Sequence, residues 1–124
     1  MSSVKIKIIF IIYYLLILFL SINNFNIDEL KKLYIFFDDK DKFMHFSQYF
    51  LLVILGLFSF KVTINSKSLV LILIFIMTSS GLSEFAQIYL SARDASYIDW
   101  FYDIGGGISG FIVFSGINKL CYKK

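Results

Sequence analysis

The sequence contains no proline, a single cysteine and a single histidine, and charged residues make up only 17% of it. Cys121 alone can form neither an internal disulfide nor a thiolate cluster around a metal. One histidine leaves no His-Glu-x-x-His motif, and neither a paired-cysteine spacing nor a serine elbow accompanies it. The residues therefore imply no cofactor and no dedicated metal site. The net charge of +3 is dispersed over short flanks and loops, which argues against a nucleic-acid partner. No linker composition divides the chain, so one domain covers residues 1–124.

Apolar residues fill the space that charge leaves. They form 58% of the sequence, with 15 Phe and 8 Tyr, and the mean hydropathy is +0.76. One compact core of this size could not hide so much apolar surface, whereas a bilayer accepts apolar faces all round a helix. Four stretches approach the ~20 residues needed to cross ~30 Å of hydrocarbon, and they predict helices over about residues 6–22, 43–60, 68–90 and 98–117. Lys5 and Lys7 precede the uncharged run Ile8 to Ile22 of the first helix, where their long stems can reach the membrane boundary. Ser21, Ile22 and Asn23 make a poor small-residue cleavage site, so this helix is expected to stay as an anchor rather than leave as a signal segment.

Between the first two stretches, Asn26 and Glu29 have the spacing of a capping box, and Ile27, Leu30, Leu33, Tyr34 and Phe37 follow at helical intervals. That pattern predicts a short helix lying in the membrane interface. The expected architecture is an all-α membrane protein, a four-transmembrane-helix bundle with one interfacial helix between helices 1 and 2. Seven Lys and Arg residues flank the N-terminus, the second connection and the C-terminus, against five elsewhere, so both termini are expected in the cytoplasm.

Ionisable groups within membrane helices cost several kcal/mol unless they are paired or wet, so their positions are informative. Asp41 and His45 open the second predicted helix, Glu84 and Gln87 lie near the end of the third, Arg93 follows in the loop, and Asp99 and Asp103 open the fourth. Short connections force these helices to alternate in direction, which brings all seven residues to one membrane face. Residues three or four apart share a helix face. Asp41, His45, Tyr49 and Leu52 make one stripe; Ser80, Glu84, Gln87 and Ser91 a second; Asp99, Asp103, Gly106 and Gly110 a third. Gly106 and Gly110 form a G-x-x-x-G spacing that lets a neighbouring helix approach closely, within the bundle or between protomers of a homo-oligomer.

A bland reading stands beside this one. Gln87 and Tyr49 are most simply hydrogen-bonding links between helices, Asp38, Asp39 and Lys40 a solvated turn, and Tyr97, Trp100 and Tyr102 aromatic anchors at the interface.

Taken jointly, Asp41, Lys42, His45, Phe46 and Tyr49, then Glu84 and Gln87, then Arg93, Asp99, Gly106 and Gly110, resemble the VanZ-like family. The shared pattern is Asp-Lys-x-x-His-Phe opening a helix, Glu-x-x-Gln closing the next, then Arg, five residues, and Asp before a glycine-rich helix. The resemblance covers Asp41 to Gly110, over half the chain. Where the family usually has Asn, this sequence has Asp103, which adds a carboxylate at the centre of the site. The family is named for an accessory protein encoded with vancomycin-resistance functions and linked to teicoplanin resistance. The resemblance implies a multi-pass protein of the bacterial cytoplasmic membrane acting at the cell envelope, and it supplies no reaction.

Three functions compete. In the first, the polar site at the outer face binds an envelope-associated or lipid-linked ligand, with Arg93 holding a phosphate or carboxylate. In the second, an intramembrane hydrolase or transferase acts on a lipid headgroup, with Glu84 as general base or with His45, Glu84, Asp99 and Asp103 around a divalent metal. In the third, the cluster only locks the helices of a structural subunit together. Membrane lipids are partners in every case. A channel or transporter finds no support, because no inverted repeat or midplane ion site is visible.

Overall fold

The computed structural model describes residues 3–22, 40–90 and 96–121. They form four helices: α1 (Ser3–Ile22), α2 (Lys40–Phe60), α3 (Ser66–Leu90) and α4 (Tyr97–Cys121). Each contains one of the expected apolar stretches and begins before it. The interfacial helix expected between α1 and α2 falls on residues 23–39, outside the described residues.

Local hydrogen bonding explains two of these boundaries. At α3 the Asn65 side chain accepts the Ser68 backbone N–H at 2.8 Å, and the Ser68 hydroxyl accepts the Asn65 N–H at 3.0 Å. This reciprocal box satisfies donors that a helix start leaves orphaned, and it starts α3 at Ser66, two residues ahead of the apolar run. α2 ends where Lys61 takes a positive φ of 50° and the Val62 N–H donates to the Leu57 carbonyl at 3.3 Å. That is the 6→1 bond of a Schellman ending, with a lysine where glycine is usual. A Cβ in the left-handed region costs about 1 kcal/mol. Lys61→Gly should therefore raise the thermal unfolding midpoint of the detergent-solubilised protein by a few degrees. A lowered midpoint would mean that the left-handed ending is not the native one.

Three of the four helices are long and apolar enough to cross a membrane: α1 over Val4–Ser21, α2 over Asp41–Phe60 and α3 over Ser66–Leu90. α4 equals α3 in length at 25 residues but carries Asp99, Asp103 and a run of three glycines. Polarity across the bundle is inverted relative to a water-soluble protein. Ser59, Ser79, Ser80, Ser83 and Asp103 are buried, while Leu71 is 67% and Phe101 68% exposed. Large apolar side chains facing outward on every helix are costly in water and favourable against lipid tails. The chain is a membrane protein with transmembrane helices.

α2 and α4 share the most extensive interface; α1 packs on α2 and α3, and α3 packs on α4. α2 and α4 run parallel, because Gly106 lies against Phe46 and Gly110 against Phe50. A Cβ on Gly110 would stand 2.6 Å from the Phe50 carbonyl oxygen, and one on Gly106 would stand 2.8 Å from the Phe46 carbonyl carbon. Only glycine allows this backbone-to-backbone approach. The G-x-x-x-G pair thus packs inside the bundle, against α2. α1 is antiparallel to α2: its Tyr13 hydroxyl donates to the Gln48 carbonyl at 3.3 Å, its Phe10 ring covers Gly56, and its Ile6 carbonyl accepts the Ser59 hydroxyl at 3.2 Å. Tyr49, Leu52, Val53, Leu57, Ile76, Phe111 and Phe114 form the core with Ile17.

Candidate functional site

Antiparallel packing brings the start of α2, the end of α3 and the start of α4 to one end of the bundle. Asp103 is the hub. It is fully buried at 0% exposure and touches both other helices. Its Oδ1 lies 3.0 Å from His45 Nδ1 on α2, and its Oδ2 accepts the Ser80 hydroxyl from α3. The two atoms share one hydrogen bond, whose proton can sit on the ring nitrogen or on the carboxyl. The other ring nitrogen, Nε2, faces Asp99 Oδ2 at 3.8 Å. His45 is therefore flanked by two carboxylates one helical turn apart on α4. Tyr49 sits one turn deeper on α2, where its hydroxyl accepts the Ser79 hydroxyl at 3.2 Å, linking α2 to α3.

Glu84 closes the cluster from α3. Its Oε2 accepts the backbone N–H of Ser96 at 3.0 Å, and Ser96 in turn offers its carbonyl to the N–H groups of Asp99 and Trp100 as α4 begins. The same carboxylate thus ties the end of α3 to the first turn of α4. Its second oxygen, Oε1, is buried with no hydrogen-bond partner, and so is the indole Nε1 of Trp100. Leaving a buried donor or acceptor unmade costs about 1–3 kcal/mol each, so two at one place call for an explanation. Both residues line the same cleft of about 530 Å³, together with Gly81, Phe85, Ile88, Ser96 and Tyr97. The outer wall is apolar, since Phe85 and Ile88 are exposed beside it.

Of the seven polar residues expected to converge, Asp41, His45, Glu84, Gln87, Asp99 and Asp103 are at this end. Ligand atoms of His45, Glu84 and Asp103 lie within 4.8 Å of one another, and the same holds for Asp41, His45 and Asp99. Gln87 is buried one turn beyond Glu84. Arg93 lies outside the described residues, as do Ser91, Asp38 and Asp39. Trp100, expected as an interfacial anchor, also lines the cleft, which its residue type alone does not indicate. Its indole N–H is buried beside the cleft, while Tyr97 is 85% exposed. A signal was available, because Trp100 stands three residues before Asp103 and so leans toward the same helix face.

Comparison of the chain with protein-family models, with curated proteins and with solved structures gives no match.

Proposed function

We propose that this chain is a VanZ-like protein of the bacterial cytoplasmic membrane, a four-span bundle with both termini in the cytoplasm, whose polar end binds the headgroup of an amphiphilic, lipid-linked envelope molecule. The observation that carries the reading is the pairing of two unmet polar atoms, Glu84 Oε1 and Trp100 Nε1, in one cleft with an apolar outer wall. A free acceptor beside a free donor suits a hydroxyl or amide group, which can satisfy both, while Phe85 and Ile88 suit an acyl or isoprenyl chain in the bilayer. Arg93, three residues before the cleft-lining Ser96 in the chain, would add a planar pair of donors for a phosphate. The roles of a stabilising link and a binding group coexist in Glu84: one oxygen holds Ser96, the other is offered to the ligand.

The test is the lipid extract retained by protein purified in mild detergent and read by native mass spectrometry. Wild type should hold an amphiphile that Trp100→Phe and Arg93→Ala lose by about tenfold or more, corresponding to one or more lost hydrogen bonds. Their membrane abundance should equal wild type. Undiminished retention in both variants would sink the cleft as the binding site. A parallel fall of abundance and ligand would favour the cluster as structural glue.

A further inference from the structure

We infer that His45, Glu84 and Asp103 form a binding site for one divalent transition-metal ion of the Zn2+ or Mn2+ kind, set behind the cleft and sharing Glu84 with the amphiphile reading, from which metal counting on the lipid-free protein separates it. The three donors come from three different helices, all three residues are buried, and their ligand atoms lie within 4.8 Å of one another. A clustering of carboxylates would not by itself make a site. The second observation is Glu84, 9% exposed, whose Oε1 has no hydrogen-bond partner although it is shut off from solvent. An ion supplies the partner that is missing.

Geometry and charge agree. Two atoms each bound at ~2.1 Å to the same ion stand roughly 3.0–3.5 Å apart. The His45 Nδ1 to Asp103 Oδ1 separation of 3.0 Å is already such an edge. Torsions of the Glu84 side chain can close the longer ones. Among the described residues, neither Glu84 nor Asp103 pairs with a lysine or arginine. Glu84, Asp99 and Asp103 are three buried carboxylates around one imidazole, and a low-dielectric interior penalises such a gathering of negative charge by several kcal/mol. A dication with neutral imidazole offsets two of the three charges.

The surroundings resemble the support that metal ligands usually receive. With Nδ1 on the ion, His45 Nε2 faces Asp99 Oδ2 at 3.8 Å, a carboxylate placed on the side of the ring away from the ion. The Ser80 hydroxyl, bonded to the far oxygen of Asp103, holds that carboxylate in place. Asp41, His45 and Asp99 also lie within 4.8 Å of one another, but Asp41 is only half-buried. The inner set, unlike the outer one, includes Glu84, whose Oε1 is unmet. One nitrogen and two oxygen donors suit Zn2+ and Mn2+ better than Ca2+, which takes oxygen alone.

The experiment strips the full chain in detergent micelles with chelator, reloads it with Zn2+ alone or Mn2+ alone, dialyses it, and counts metal per chain by mass spectrometry. Wild type should retain about one ion. Glu84→Gln and Asp103→Asn should each weaken binding by about tenfold or more with unchanged helical circular dichroism, whereas Asp41→Asn should retain the ion. Zinc-edge X-ray absorption on wild type gives a readout that needs no variant, and should show one imidazole with otherwise oxygen neighbours. Absence of retained metal in wild type, equal retention in Glu84→Gln and Asp103→Asn, or sulfur scattering from Cys121 would each overturn the site.

Discussion

Replacing Gly106 by alanine will be the most damaging single-methyl change in this protein, with a loss of about 3 kcal/mol or more, enough to remove most folded material from the membrane. The reason is the neighbour. A new Cβ at Gly106 would run into the Phe46 carbonyl group, which belongs to the α2 backbone and cannot turn aside as a side chain can. α2 and α4 would have to separate along the interface that also aligns His45 with Asp103. Gly110→Ala, against the Phe50 carbonyl, should cost somewhat less because the clash is milder. Gly81→Ala and Gly116→Ala meet nothing within 4 Å and should be neutral or stabilising by up to about 1 kcal/mol, through helix propensity alone. Thermal unfolding in detergent, followed by circular dichroism, ranks the four. An unchanged midpoint in Gly106→Ala would mean that α2 and α4 do not meet as described.

Asp103→Ala should rank second, at roughly 3 kcal/mol, because it removes the partner of His45 and of Ser80 at once and leaves a hole at a fully buried position. Asp103→Asn should cost about 1 kcal/mol, since the amide keeps the shape, and a carbonyl oxygen can still accept from Ser80 or from the imidazole. The contrast between the two substitutions separates shape from charge. If both variants unfolded at the wild-type midpoint, Asp103 would not be the hub that joins α2, α3 and α4.

The helices were legible because composition and run length decide them: no proline breaks the apolar stretches, and each is close to a bilayer in length. Their starts were less so. Asn65 extends α3 beyond its hydrophobic pattern through a capping box with Ser68, a signal of two short polar residues that hydropathy does not register. The convergence of His45, Glu84, Asp99 and Asp103 followed from alternation of direction, which any short-looped bundle obeys. What spacing could not give was the pairing. Asp103 rather than Asp99 makes the close contact with His45, because the glycine seam sets how far α4 slides along α2. Nor could it separate Trp100 from its aromatic neighbours. Tyr97 and Trp100 are near-equal as interfacial residues by type, and only the packing of α4 on α3 turns one outward and buries the N–H of the other.

In the proposed topology α4 crosses the bilayer with its polar start at the same face as the end of α3. Side-specific labelling tests it directly, in a Cys121→Ser background with single cysteines placed at the exposed positions Tyr97 and Leu120, at opposite ends of α4. A membrane-impermeant thiol reagent applied to sealed, right-side-out vesicles should label Tyr97→Cys and leave Leu120→Cys untouched until the membrane is permeabilised. Labelling of both positions from one side would show that α4 does not cross, and would contradict the account.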